Sequence, residues 1–417
     1  MNAREVALEL LNQWSRSRRL ADELLEERLV RAGLSASDRA LATELFYGCL
    51  RQKLALEFLQ SHFARKPPRP VVSHLLQLGL YQLFFLNLAP HAAVHETVAL
   101  AKRCVSPPEA RFLNAALRAA CHDQATATAL LWRQRETQPW VPWSHPQWLW
   151  ERWVARWGQE PTERLCEWNN QPPAVYARLN TLKATQPPDG LPLEATSCPL
   201  CWRVTDGAVF FRSAAWQKGM FYAQDPSTLI AVDMLDPQPG ESVLDLCAAP
   251  GGKTTYLAQK MQNKGRIIAM DSSRARLGRV NENCRRLGVE IVVTLAGDGT
   301  RLARCLCGTT FDRVLVDAPC SNTGVLRRRP DLRWRLQEAE IARLAAIQGN
   351  LLATAARLTR PGGVLVYSTC SLETEENERV AERFRDSHPE FALETTRSTF
   401  PPRDGMDGAF VARFRRG

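Results

Sequence analysis

Leucine and alanine recur three and four positions apart through REVALELLNQW, LADELLEERLVRAG, SDRALATELFYGCLRQKLALEFLQSHF, VVSHLLQLGLYQLFFLNL and ARFLNAALRAAC. On a helix that spacing lines apolar side chains along one face, so residues 1–137 are expected to form an all-α bundle. Ser37 stands ahead of DRALATE as an N-cap would, and Pro67, Pro68, Pro70, Pro90, Pro107 and Pro108 mark boundaries between segments. Eight of the twelve tryptophans fall between Trp132 and Trp168, with Trp150, Trp153 and Trp157 at helical spacing. They could stack bases, but a linker helix clamped between two domains is the preferred reading.

The period then changes. PPAVYARLNTLKAT to GAVFFRSAAWQKGMFYAQDPS reads as short strands, STLIAVDML as a helix and PQPG as a turn, so residues 138–232 are expected to be a linker helix and a small subdomain. Beyond Gly240, strand and helix patterns alternate: SVLDLCAAP, TTYLAQKM, GRIIAMD, ARLGRVNENCRRLG, IVVTLAGD, FDRVLVDAP, LQEAEIARLAAIQGNLLATAARLT and GGVLVYSTC. Over residues 233–417 this predicts a doubly wound, Rossmann-like α/β domain whose mainly parallel sheet carries helices on both faces. Ligands in that class bind outside the carboxyl ends of the strands.

Composition narrows the class. At 417 residues the chain has room for two or three domains, and no apolar run approaches the roughly 20 residues of a membrane span. MNAREVALELLNQW carries acids early and reads as an amphipathic helix rather than a signal peptide. The twelve cysteines are scattered as free thiols are in a reducing compartment, and a cytoplasmic monomer is expected. No metal site is expected, because nothing completes the CxxC of Cys198 and Cys201, and His91 and His95 lack a third ligand. A net charge of +10 favours a polyanionic partner.

Two strand-like runs, VLVDAPCSNTG and VLVYSTCSLETEENE, each end in a polar turn with one cysteine, Cys320 and Cys370. DLCAAPGGKTT follows a strand and opens a helix, where Gly251 and Gly252 allow close backbone approach to a ligand. It is not a P-loop, since Cys247 stands where that loop needs its first glycine, which argues against a nucleotide-hydrolysing machine. Asp271 ends the second strand, where a carboxylate would meet ribose hydroxyls, and Asp298 ends the third, within reach of an adenine edge. A nucleoside-like ligand without a triphosphate loop suggests S-adenosylmethionine. A thiolate adding at carbon 6 of a pyrimidine would activate carbon 5 toward a methyl sulfonium, and a base or second thiol would then release the product. Asp317, three residues before Cys320, could bond the base edge. These observations do not rank the two cysteines.

DLCAAPGGKT, VDAPCSNTGVLRRRPDLRW, YSTCSLETEENE and DGMDGAFVARF resemble successive motifs of the RNA cytosine-C5 methyltransferases, while DRALATELFYGCLR and FLNAALR resemble the NusB helical RNA-binding domain. That pairing is similar to the bacterial small-subunit (16S) ribosomal RNA branch of the family, the RsmB type. The resemblance implies an S-adenosylmethionine site lined by Cys247, Ala248, Ala249, Pro250, Gly251, Gly252, Lys253, Asp271, Asp298 and Asp317. It further implies Cys370 as nucleophile and Cys320 as the releasing thiol, with Asp317 and Lys253 completing the catalytic set; whether Lys253 meets substrate or cofactor stays open. Arg178, Asn180 and Lys183 resemble the family's RNA-recognition strand. Arg327, Arg328 and Arg329, with Arg333 and Arg335 around Trp334, would contact phosphate. The expected substrate is a single-stranded or extruded cytidine of small-subunit ribosomal RNA. Transfer RNA, or a non-catalytic RNA-binding scaffold, is the alternative.

Overall fold

The computed structural model describes residues 2–86, 88–302 and 308–417; Cys305, Cys307 and Asn87, the next-to-last residue of the segment VVSHLLQLGLYQLFFLNL, lie outside the described residues. The chain forms two compact units: Met1–Pro172 with Leu326–Leu336, and Pro173–Val325 with Gln337–Gly417.

The first unit is helical: α1 (Ala3–Arg16), α2 (Ala21–Ala32), α3 (Ala36–Arg51), α4 (Lys53–Phe63), α5 (Pro70–Phe84), α6 (Pro90–Cys104), α7 (Pro107–His122), α8 (Gln124–Arg133), α9 (Gln147–Trp157) and α10 (Gln159–Asn169). The apolar stripes meet in a core that fully buries Leu10, Leu45, Phe46, Leu56, Leu75, Leu76 and Leu113. Pro70, Pro90 and Pro107 each open a helix, where the missing N–H is no loss. Ser35 rather than Ser37 caps α3, because its hydroxyl is the one that accepts the Asp38 N–H. Trp150 and Trp153 are buried on α9 and supply packing, not an exposed stacking platform.

This unit runs past residue 137 and takes in Leu326–Leu336, a stretch expected in the sheet domain. Arg333 explains why. It has no exposed surface, and its guanidinium donates to the carbonyls of Ser144 and Asn169 at 3.0 Å each and to Asn170 Oδ1 at 2.8 Å. Trp334 Nε1 donates to Leu50 O at 2.6 Å, and Asp331 accepts the Ala21 N–H at 2.9 Å. Arg335 donates to Ser17 O at 3.0 Å and lies over the Trp14 ring. Arg327 donates to Pro172 O and stacks 4.2 Å from the centroid of Trp168. Arg333 is thus closed off from the phosphate contact expected of it, while half-buried Arg335 and Arg327 also donate to backbone carbonyls. Arg329 is exposed and pairs with Asp22 at 3.6 Å, and Arg328 is half-buried.

The second unit holds two sheets. Strands β1 (Val175–Leu179), β2 (Leu193–Ala195), β3 (Cys201–Val204) and β4 (Phe221–Ala223) form an antiparallel sheet in the order β2-β3-β1-β4. GAVFFRSAAWQ, expected to be extended, instead forms two single helical turns, because Asp206 and Ser213 accept the N–H groups of Val209 and Trp216 as N-caps. The larger sheet contains β5 (Ser242–Leu246), β6 (Arg266–Asp271), β7 (Val292–Ala296), β8 (Phe311–Asp317), β9 (Thr359–Thr369), β10 (Phe391–Thr399) and β11 (Ala409–Arg416), in the order β10-β11-β9-β8-β5-β6-β7. Strands β5 to β9 pair in parallel, and β10 and β11 close one side antiparallel. Val314, Leu315 and Val316 of β8 are all fully buried, as a strand covered on both faces requires. Strand order reverses between β5 and β8, so the crevice at the carboxyl ends of β5, β8 and β9 is where this topology places a ligand.

Candidate active site

Each of those three strands delivers one part of the site. The turn after β5 begins with Cys247 at φ +80° and reaches Gly251 at φ +104°, a conformation that favours glycine. The N–H groups of Cys247 and Ala248 both donate to Met270 O, at 2.9 and 2.7 Å, which ties the turn to the end of β6. The helix Gly252–Lys260 starts immediately afterwards.

Arg178 clamps that helix start. It donates to Gly252 O at 2.8 Å and Thr255 Oγ1 at 3.0 Å, and sits between the rings of Tyr222 and Tyr256 with no exposed surface. Asn180 is equally buried, donating to Gly219 O and Leu287 O at 2.8 Å each and accepting from Gln259 Nε2 at 2.7 Å. Lys183 Nζ donates to the carbonyls of Lys218 and Arg286 at 2.7 and 2.8 Å. Against the expectation of RNA contact, Arg178 and Asn180 are buried with their side chains engaged inside the fold, whereas Lys183 is exposed and its ammonium meets two backbone carbonyls.

The acids lie at successive strand ends. Asp271, buried at the end of β6, accepts the N–H groups of Ala249 at 3.2 Å and Ser273 at 2.9 Å. Asp298 is exposed beyond β7, and the hydroxyl and N–H of Thr300 hold its carboxyl below the usual range. Asp317 closes β8 and receives Lys253 Nζ at 2.7 Å. Burial of Lys253 pulls its pKa down, but the charge of Asp317 and the bond to it raise it more, leaving the ammonium above its ordinary value.

A further acid, Asp245, was not anticipated. It is fully buried in β5, one oxygen accepts from Thr254 Oγ1 at 2.6 Å, and the other has no protein partner among the described residues. Burial above all, with the nearby charges of Asp317 and Asp271, pushes its carboxyl up to about 7. The signal was an acid inside the otherwise apolar SVLDL. Because the folded-state pKa is raised, the folded chain favours the protonated acid, and stability present below the ordinary carboxylate range is lost as pH rises through about 7. Asp245→Asn is expected to remove that loss. In ligand-free protein the variant should gain a few kcal/mol on wild type in chemical denaturation between pH 4 and 8. An unchanged difference across that window would show that Asp245 does not titrate there.

The thiols stand at neighbouring strand ends. Cys320 Sγ and Cys370 Sγ are 3.2 Å apart, and Cys370 Sγ donates to Asn322 Oδ1 at 3.1 Å. The bond to Cys370 and then burial raise the Cys320 pKa far above that of a free thiol. Asn322, at φ +60°, also donates to Cys320 O at 2.6 Å. Gly324 N donates to Cys370 O at 3.0 Å, and a Cβ on Gly324 would stand 2.7 Å from that oxygen and from Gly408 O, so only glycine permits this crossing. Asn322 was missed, although asparagine in a PCSNTG turn tolerates positive φ.

The set is acidic: Asp245 and Asp317 lie near the Lys253 ammonium, which is paired with Asp317, and Asp271 pairs with Arg276 at 3.6 Å. Such a set fits a cationic nucleoside with free hydroxyls and repels a triphosphate.

A family model described as 16S rRNA methyltransferase RsmB/F matches residues 232–415, a NusB family model matches 1–121, and an RsmF/B-like ferredoxin-like domain model matches 145–187. The chain is 34% identical over 408 residues to the probable ribosomal RNA small subunit methyltransferase B of Bacillus subtilis, covering 94% of this chain and 89% of that one. It is 34% identical over 436 residues to ribosomal RNA small subunit methyltransferase B of Yersinia pseudotuberculosis, covering 99% and 98%. Among solved structures, PH0851 superposes with a TM-score of 0.80 at 27% identity, covering 99% of this chain and 98% of that one. A methyltransferase homologue from Pyrococcus horikoshii gives 0.59 at 29% identity, covering 67% and 97%. With catalytic-unit and helical models both matched, and near-full-length relatives above 30% identity, this chain belongs to the 16S rRNA methyltransferase RsmB/F family.

Proposed function

We propose that the chain methylates carbon 5 of a cytidine in small-subunit ribosomal RNA with S-adenosylmethionine, through a covalent adduct between Cys370 and carbon 6. The observation that carries this reading is the pair of thiols 3.2 Å apart at the ends of β8 and β9, beside the Lys253–Asp317 ion pair. S-adenosylmethionine, when bound, supplies an electrophilic methyl on a sulfonium. Asp271 would hold its ribose hydroxyls, and the turn Cys247–Lys253, Asp298 and Asp317 would line the rest of its site.

Cys370 releases its proton to solvent and its thiolate forms the S–C6 bond, which moves the C5=C6 electron pair toward the base edge. Asp317, oriented by Lys253, bonds that edge and supports the charge. Carbon 5 then takes the methyl. Cys320 accepts or relays the carbon-5 proton, the C5–H electron pair restores the C5=C6 double bond, and the S–C6 bond breaks with its electrons returning to the Cys370 sulfur as thiolate. Arg328 and Arg329 are the remaining members of the arginine run for phosphate contact. Among the described residues, no helix is long and apolar enough to cross a membrane.

The test incubates the protein with S-adenosylmethionine and, in parallel, small-subunit ribosomal RNA and transfer RNA, then digests each RNA to nucleosides. 5-Methylcytidine at one position of the ribosomal RNA is the expected product. Its appearance in transfer RNA alone would overturn the substrate, and methylation at another atom would overturn the chemistry.

A further inference from the structure

The mechanism above makes no use of Glu376, an acid with no exposed surface. Its carboxylate nevertheless joins both cysteine loops. Oε1 accepts the Ser321 N–H at 2.9 Å and Gln348 Nε2 at 3.0 Å; Oε2 accepts the hydroxyl of Ser371 at 2.5 Å and that of Ser321. Ser321 directly follows Cys320, and Ser371 directly follows Cys370. Ser321 Oγ and Ser371 Oγ themselves lie 3.1 Å apart. Tyr367, within β9, donates to Glu376 O at 2.5 Å and fixes the backbone that carries the carboxylate.

Burying a carboxylate is costly, and burial does raise its pKa against the opposing pull of the Ser321 and Ser371 bonds. An apolar residue would hold two loops together at lower cost. What an apolar residue cannot do is fix direction: an acceptor meeting four donors aligns each loop to a hydrogen bond's distance and angle. The two thiols depend on that alignment, because each is one residue away from a serine that Glu376 holds.

We propose that Glu376 is a positioning residue that sets the separation of Cys320 and Cys370, so that attack at carbon 6 and release of the adduct proceed from one placement of the base. This rests on the two-thiol methyl-transfer reading above, and it deepens that reading by assigning the acid that builds the pair.

The test compares Glu376→Ala, Glu376→Gln and Ser321→Ala with wild type in two assays. One is methyl transfer, with kcat and KM for RNA determined separately. The other treats RNA-free protein with dibromobimane, which links two thiols only when both are met together, and maps the Cys320–Cys370 bridge by peptide mass spectrometry. For Glu376→Ala, kcat is expected to fall by about 100-fold, as misplacement by about 1 Å can cause, with KM little changed. Bridging should fall with it. Glu376→Gln keeps an acceptor at Oε1 and offers an amide to the serine hydroxyls, so it should recover most of both. Should Glu376→Ala not fold, Ser321→Ala carries the test, with a smaller loss of both quantities. Wild-type bridging in a folded Glu376→Ala or Ser321→Ala protein would overturn the proposal, as would equal losses in Gln and Ala variants that both melt cooperatively. Bridging needs neither RNA nor methyl donor, so a wild-type protein that bridges but never methylates cytidine overturns the functional reading and leaves the positioning role standing.

Discussion

Cys370→Ala protein is expected to lose methyl transfer almost completely, toward the roughly 10⁶-fold fall that removing an enzyme's nucleophile can bring. Without the S–C6 bond, carbon 5 has no electron pair to offer a methyl group. Cys320→Ala should behave differently. Its Cys370 still attacks and carbon 5 still takes the methyl, but the adduct has lost the thiol 3.2 Å away that assists collapse. Protein incubated with S-adenosylmethionine and ribosomal RNA should then run as a shifted band on a denaturing gel. A shifted band with Cys320→Ala and none with Cys370→Ala is the expected pair of results. The reverse pattern would exchange the two roles. Active wild type with no band from either variant would remove covalent chemistry from the mechanism.

What the chain discloses before folding follows from which interactions are local. The runs FDRVLVDAP and GGVLVYSTC read as buried strands because a parallel strand covered on both faces is apolar there, and residues 314–316 of β8 and 364–367 of β9 obey that rule. The polar residues that interrupt such a run at its carboxyl end then stand out, which is why Asp271, Asp317, Cys320 and Cys370 draw attention in the sequence. The place of Arg333 in RRRPDLRWR was hidden for the opposite reason. On the sequence an arginine run looks solvated, and nothing marks that Arg333 satisfies backbone carbonyls 164 and 189 residues away. Glu376 was hidden in the acidic run ETEENE, since the partner that explains it, Ser321, lies 55 residues earlier. Arg178 failed likewise, for its strand resembled an RNA-recognition element while its guanidinium points at Gly252 O and Thr255. Apolar periodicity is a property of one element; a buried polar contact is a property of two.

The largest remaining effect is expected at Asp317, whose carboxylate neutralises Lys253 at 2.7 Å. The lysine side chain is 14% exposed, so taking its partner away strands a mostly buried ammonium, which costs up to about 3 kcal/mol. Asp317→Ala should lower kcat by about 10³-fold, within the range for loss of a group that moves or holds a proton. Lys253→Ala should do nearly as much. The pair acts as one unit, so the double variant should be little worse than either single one, and a loss equal to the product of the two would show independent roles. The pH dependence separates electrostatics from packing. In wild type the attraction of Asp317 outweighs burial, so Lys253 stays charged above the ordinary lysine range and that stabilisation is lost only at higher pH still. In Asp317→Asn burial is opposed only by the remaining charges of Cys370 and Asp245, so the Lys253 pKa should fall. The residual kcat should therefore acquire a new alkaline limb below the ordinary lysine range. A profile parallel to wild type would mean that Asp317 acts on the base alone and that Lys253 does not depend on it.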